Sequence, residues 1–191
     1  MAEPRRDRNE FVAMLAPVRD GLYGYARRAL WDKELAADVV QESVMTAWRG
    51  LATFERGTNF RAWMFRILVN TIYNFNRRTA RRKEFTVADS TMEAFAELER
   101  EDAWAKLLDR PEVLADMLDE RLVNALERLN SNEKRCFLLH QMQGFTYKEI
   151  ATVLGMPLGT VMSHMHRARK NLRERLASLA VEHGLLKGAE S

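Results

Sequence analysis

The chain has one cysteine, Cys136, in 191 residues. No internal disulfide is open to it, and no Cys/His cluster has the spacing of a zinc site, which excludes a disulfide-stapled scaffold and a zinc module. Proline is almost as scarce, with four in total and Pro111 alone between residues 18 and 156; glycine numbers nine. A turn-rich all-β fold needs more of both, so the shortage points to long helices. No apolar run approaches the roughly 20 residues of a membrane span, and the N-terminal MAEPRRDRNE has no apolar stretch like that of a signal peptide. A reducing, cytoplasmic location without membrane insertion is expected. Walker, HExxH and GxSxG motifs are also missing, so the expectation is a protein that is not an enzyme and holds no cofactor or metal.

What is present is a chain 47% apolar, enough for a packed core. Its net charge of +3 hides a strong asymmetry. Residues 1–83 carry 16 Lys/Arg against 9 Asp/Glu; residues 84–120 carry 3 against 12; residues 121–191 carry 11 against 6. Two basic blocks flanking an acidic one point to two nucleic-acid-facing domains joined by a segment of opposite sign.

Periodicity divides the blocks further. Phe11, Leu15, Val18, Leu22, Tyr25, Ala26 and Ala29 make one apolar stripe. A helix is expected from about Lys33 to Leu51, with Leu35, Val39, Val40, Val44, Ala47 and Trp48 facing inward. FERGTN (54–59) breaks the pattern at Gly57. Another helix then runs from Asn59 or Phe60 to about Arg82, with Trp63, Ile67, Leu68 and Ile72 as its apolar set and the cationic run NRRTARRK (76–83) at its end. The acidic stretch reads as a linker with one or two short helices. Beyond it, Leu122, Ala125, Leu126 and Leu129 mark a helix, NSNE (130–133) signals the start of the next, and Gly144 ends that one. Thr146 and Glu149 have the spacing of a capping box.

The stretch YKEIATVLGMPLGTVMSHMHR meets the requirements of a helix-turn-helix. Ala151 is small where two helices cross, and Gly155 stands where the turn needs positive φ. Ile150, Leu154, Val161 and Met165 are the apolar contacts, and Thr160 is placed to cap the second helix. That helix, TVMSHMHRARKNLRERL (160–176), puts Val161, Met165, Ala168, Leu172 and Leu176 on one face and hydroxyl, imidazole and guanidinium groups on the others. His164 and His166, two apart, diverge by roughly 200° and cannot share a metal; DNA or solvent contact is expected for both.

DVVQESVMTAW (38–48), Phe54 and FRAWMFRILVNTIYNFNRR (60–78) together resemble the polymerase-binding and −10-recognition domain of the extracytoplasmic-function (ECF) sigma factors of the sigma-70 family. GFTYKEIATVLGMPLGTVMSHMHRARKNLRERL resembles their −35-recognition domain, in the right order on the chain. The resemblance implies an all-α fold of two helical domains: a three- or four-helix domain over 8–83, an acidic linker over 84–120 passing near the polymerase's template and RNA path, and a helix-turn-helix domain over 121–182; from its residues alone the linker reads at least as well as a solubilising spacer. It implies a factor that binds core RNA polymerase through the β and β′ subunits, recognises −35 and −10 promoter DNA and helps melt the −10 region. It also implies an anti-sigma partner of unknown identity.

Residue by residue, the resemblance places Asp38, Gln41 and Glu42 against the β′ clamp helices. It places Arg61, Phe65, Arg66, Asn70, Tyr73, Arg77 and Arg78 at −10 DNA, with the 54–60 loop beside them and Asn70 near a flipped base. Aromatic surface replaces lost stacking during strand opening, and cations hold the backbone. Periodicity assigns Trp63 to the core and leaves Phe65 and Tyr73 open between core packing and DNA. At −35 DNA stand Thr160, Ser163, His166, Arg167, Arg169 and Lys170, with arginine able to pair bidentately with guanine or grip phosphate. Met162 and His164 occupy positions often basic in this family. Two other readings remain at this stage: a stand-alone helix-turn-helix regulator that binds a palindrome as a dimer, and a nuclease-like enzyme, for which no catalytic constellation is seen.

Overall fold

The structure is a computed structural model that describes the backbone of residues 4–80 and 120–182 and the side chains of 8–78 and 124–174. The expected acidic linker lies outside the described residues. By its contacts the chain forms two compact units, one of residues 1–85 and 148–156, the other of 86–147 and 157–191. Regular structure among the described residues is entirely helical.

The first unit begins with α1 (Pro4–Leu15) and α2 (Arg19–Ala29). The apolar stripe from Phe11 to Ala29 is shared between them because Pro17, which lacks an N–H, stands at the break. A 3-10 turn (Lys33–Leu35) follows, in which Asp32 accepts the Glu34 N–H at 3.1 Å. Next comes α3 (Ala36–Arg49), then a second 3-10 turn (Leu51–Thr53) and α4 (Phe60–Ala80). The single helix expected over 33–51 is therefore an α-helix with tighter turns at both ends, a frequent finish for helix termini. α3 packs on α2 and α4. Ala26, Ala36 and Ala47 are fully buried and let the backbones approach, while Leu22, Tyr25, Met64, Phe65 and Leu68 fill the space between. Ser43, also fully buried, donates its hydroxyl to the Val39 carbonyl at 2.7 Å, so no polar group is stranded there. Asn76 ties α4 back to the end of α2: its amide donates to the Ala29 carbonyl at 3.0 Å.

In the second unit, α5 (Glu120–Glu127) and α6 (Ser131–Gln143) pack against α8 (Leu158–Glu182). The NSNE signal is realised in full: Asn130 accepts the Glu133 N–H at 2.9 Å, and the Glu133 carboxylate accepts the Asn130 N–H at 3.3 Å. Gly144 ends α6 at φ 63°, and the Phe145 N–H reaches back to the Leu139 carbonyl at 3.2 Å. Between the second unit's two chain segments runs the short helix α7 (Tyr147–Leu154), whose residues from 148 on are grouped with the first unit and whose Ile150 and Val153 are buried. The turn after it has Gly155 at φ 64°, where an L side chain would be strained. Thr160 does not cap α8. The helix starts at Leu158, and the Pro157 carbonyl already accepts from the Thr160 and Val161 N–H groups at 3.0 and 3.1 Å. Proline's fixed φ lets the helix begin three residues earlier than a Thr160 cap would place it.

Cys136 lies wholly inside this unit, and burial raises its thiol to about 12 from the ordinary 9.0. The folded protein keeps that proton where the unfolded chain would release it. The unfolded state therefore binds fewer protons above about 9, and folding stability falls as pH rises from there toward 12. Two outcomes are expected: negligible reaction with a thiol reagent at neutral pH, and full labelling once urea unfolds the chain. Rapid labelling of the folded protein would contradict the buried placement.

Candidate polymerase and nucleic-acid interfaces

On α3, Ala36, Val39, Ser43 and Ala47 face the core. Asp38, Gln41 and Glu42 are all exposed on the opposite side, as their spacing requires. The sequence reading missed Met45, which is 43% exposed one turn beyond Gln41 and adds an apolar spot to this acidic face. A lone methionine inside a helix pattern gives no signal of which way it points.

The 55–59 loop has an aromatic foundation. Phe54 and Phe60, both buried, meet edge-on at 5.4 Å, and each packs against Trp63, at 5.2 and 5.7 Å. Phe11 extends the cluster to Phe60 at 5.9 Å and Trp48 at 5.4 Å. Above these rings the chain turns at Gly57, φ 88°, with the Thr58 hydroxyl donating to the Glu55 carbonyl at 2.6 Å and Arg56 paired to Glu10 at 3.1 Å. Asn59 caps α4 by accepting the Ala62 N–H at 3.0 Å. Glu55 through Asn59 are exposed.

α4 sorts the expected −10 residues into two groups. Arg66, Asn70, Tyr73 and Arg77 share its exposed face, with the Arg77 guanidinium 6.0 Å from the Tyr73 ring centroid. Asn74, not anticipated, is exposed with them. Arg78 is exposed to one side. Phe65 belongs to the core instead: it is fully buried and meets Tyr25 edge-on at 5.8 Å. Arg61 is on that inner side too, half-buried with its guanidinium 5.6 Å from the Phe65 ring. Phe65 and Arg66 are neighbours and point about 100° apart around the axis, so the same sequence stretch serves both core and surface. Trp63 is half-buried, consistent with its share in the loop's foundation.

On α8, Val161, His164, Met165, Ala168 and Leu172 are buried along one side. Met162, Ser163 and Lys170 are exposed on the other, with His166 half-buried among them. The Ser163 hydroxyl donates to the Gly159 carbonyl at 2.9 Å. Thr160 is half-buried in the first turn. His164 is inside rather than at the exposed face, and its Nδ1 accepts from Arg167 Nη2 at 3.2 Å. Arg167 and Arg169 lie at the boundary, half-buried, and are held by the unit's own groups rather than projecting as free cations. Arg169 Nη1 donates to the Tyr147 hydroxyl at 2.7 Å. The Tyr147 ring rests on His140 at 4.9 Å, and His140 Nδ1 donates to the Phe145 carbonyl at 2.8 Å, which fixes that tautomer. Arg167 pairs with Glu133 across 3.7 Å. Glu133 and Tyr147 are distant in sequence from the arginines they hold, and no local pattern announces them.

No group of three or more metal-capable side chains exists among the described residues, and none of the described helices is long and apolar enough to cross a membrane.

Comparison with known proteins agrees with this geometry. Residues 14–82 match the family description Sigma-70 region 2, and residues 119–172 match Sigma-70, region 4. The chain is 30% identical over 180 residues to an RNA polymerase sigma-H factor of Pseudomonas aeruginosa, covering 93% of this chain and 92% of the relative. It is 31% identical over 144 residues to the ECF RNA polymerase sigma-E factor of Escherichia coli K12, covering 74% of each. Among solved structures it resembles the sigma factor RpoE of Bartonella quintana, determined with the anti-sigma factor NepR, at 26% identity and TM-score 0.65 over 88% of this chain and 97% of that one. CnrH, in complex with the cytosolic domain of CnrY, shares the fold at 24% identity and TM-score 0.62 over 90% of each chain. An acidic helix face, a polar loop on aromatic rings and a cation-edged helix after a Gly155 turn thus fall within matched sigma regions, and the chain belongs to the ECF sigma factors of the sigma-70 family, which bind core RNA polymerase and direct transcription initiation at promoters.

Proposed function

We propose that the roles within this sigma factor are divided among three surfaces. The Asp38–Gln41–Glu42 face of α3, with Met45, docks on core polymerase at the β′ clamp helices. The 55–59 loop and the outer face of α4 take the −10 strand, with Asn70 reading a base edge and Tyr73 offering a stacking surface. The exposed side of α8 reads the −35 element, with Ser163, His166 and Lys170 central and Arg167 and Arg169 at its edges. Residues 8–83 and 121–182 act as the two DNA-binding domains, and 84–120 as their acidic connection. The protein works in the cytoplasm, holds no cofactor and catalyses no step itself; bond formation belongs to the polymerase. Because the sigma factor RpoE was captured with the anti-sigma factor NepR, an anti-sigma protein that covers these surfaces fits this chain as well.

The observation that carries the −10 assignment is the sorting on α4, which leaves an exposed amide, phenol and guanidinium on one face beside a loop already held in shape. Asn70→Ala should relax preference at one −10 position, costing about 1–3 kcal/mol at the preferred base, without weakening polymerase binding. Run-off transcription on a panel of −10 variants checks it. An equal loss at every variant would remove Asn70 from base recognition.

A further inference from the structure

Glu133 does more than close a capping box. Its side chain is 5% exposed. One carboxylate oxygen, Oε2, accepts from the Asn130 N–H at 3.3 Å and from Asn171 Nδ2 at 3.2 Å. The other, Oε1, lies 3.7 Å from Arg167 Nε. That Nε is buried and has no hydrogen-bond acceptor, so the link to Glu133 is a charge pairing. Arg167 and Asn171 are one helical turn apart, so a single carboxylate grips α8 at two successive turns and fixes its rotation about its axis. Burial on the Glu133 side keeps water from screening the pair as it would at a fully exposed one. Arg167 Nη2 is also committed, to His164 Nδ1. The Arg167 side chain is 35% exposed, and its guanidinium is thus aimed in one direction with its charge already countered.

We propose that Glu133 is a positioning residue for −35 recognition: by holding Arg167 and cancelling its charge, it makes this arginine an oriented hydrogen-bond donor to DNA instead of a general phosphate clamp. The inference rests on the −35 role of α8 given above. Affinity for phosphate comes from counterion release, which a neutralised arginine contributes little to. Specificity comes from donors fixed in direction, which a tethered arginine supplies.

The test uses the full chain assembled with core RNA polymerase, bound to duplex promoter fragments with the native or a scrambled −35 element, across a salt series. Glu133→Gln keeps the side-chain acceptor of the capping box, which tolerates Gln, and removes the charge. It should bind the scrambled fragment several-fold more tightly at low salt, steepen the slope of log K against log salt by about 0.9, and lower the native-to-scrambled ratio. Arg167→Gln should lower that ratio with the slope left as in the unaltered protein. The double variant should return the slope of Glu133→Gln to the unaltered value, which a general loosening of the fold would not do. If Glu133→Gln fails to fold, Arg167→Gln still decides: a slope shallower by about 0.9 would show that Arg167 already acts as a phosphate clamp and overturn the proposal. Unchanged slope and ratio in Glu133→Gln would overturn it too. If the unaltered protein does not distinguish the two fragments, the −35 reading fails and this inference falls with it.

Discussion

Phe65→Ala should destabilise the first unit by about 3–5 kcal/mol, the cost of removing a phenyl ring from a core that cannot collapse around the gap. Phe65 is fully covered and touches Tyr25 edge-on, and Arg61 loses the ring beneath its guanidinium when the side chain is cut back. A loss of that size is a large fraction of the whole stability of a small unit. Tyr73→Ala, two turns along the same helix, is the contrast. Its ring is 40% exposed and meets Arg77 at the surface, so stability should move by less than about 0.5 kcal/mol while −10 opening weakens. Urea unfolding of the full chain, beside permanganate footprinting of promoter thymines in the reconstituted holoenzyme, separates the two. If Phe65→Ala melted normally yet failed to open DNA, the ring would have to leave the core for the strand, and the placement described here would be wrong.

The second large effect is expected on α3. Replacing both Asp38 and Glu42 with lysine should weaken assembly with core polymerase at least a hundredfold, about 3 kcal/mol, because it turns an attractive face repulsive. Folding should suffer far less. Both side chains are exposed, and the only structural contribution at stake is that of Asp38 in the first turn of α3, where an acid favours the helix dipole by about 0.3–1 kcal/mol. Titration of labelled core polymerase against the variant measures the first quantity and thermal melting the second. Affinity retained within a factor of about three would mean that this face is only a solvated surface.

These two expectations mark where the sequence was informative and where it was not. The helices of both units could be read from periodicity because their buried sides recur at helical spacing. The ends set by local chemistry could be read as well: Asn130 and Glu133 for α6, Gly144 at its close, and Gly155 in the turn. The start of α8 was misjudged, since Thr160 advertises a cap that Pro157 had already made unnecessary. Phe65 and Tyr73 were inseparable from pattern alone, because an aromatic residue on a helix with basic and apolar neighbours suits either side. Only the direction in which Tyr25 approaches decides between them. On α8 the cations could be assigned to the helix from its pattern, but their attachment could not be read. Glu133 to Arg167 and Tyr147 to Arg169 are contacts between separate elements, and such pairs have no period in a single sequence. His164 was expected outside for the same reason and is found within.

The ring cluster under the 55–59 loop has a thermodynamic corollary. A loop that must be ordered by its ligand loses backbone entropy at the moment of binding, on the order of 1–2 kcal/mol for each residue fixed. Here Phe54, Phe60 and Trp63 close the base of the loop, and Thr58 ties its span across to Glu55, before any DNA arrives. The ordering has already occurred during folding of the hydrophobic core. On the −10 role proposed for Glu55 to Asn59, the binding energy they gain would be left free to act on the DNA strand itself, and a duplex that must be unstacked would have more of it to draw on.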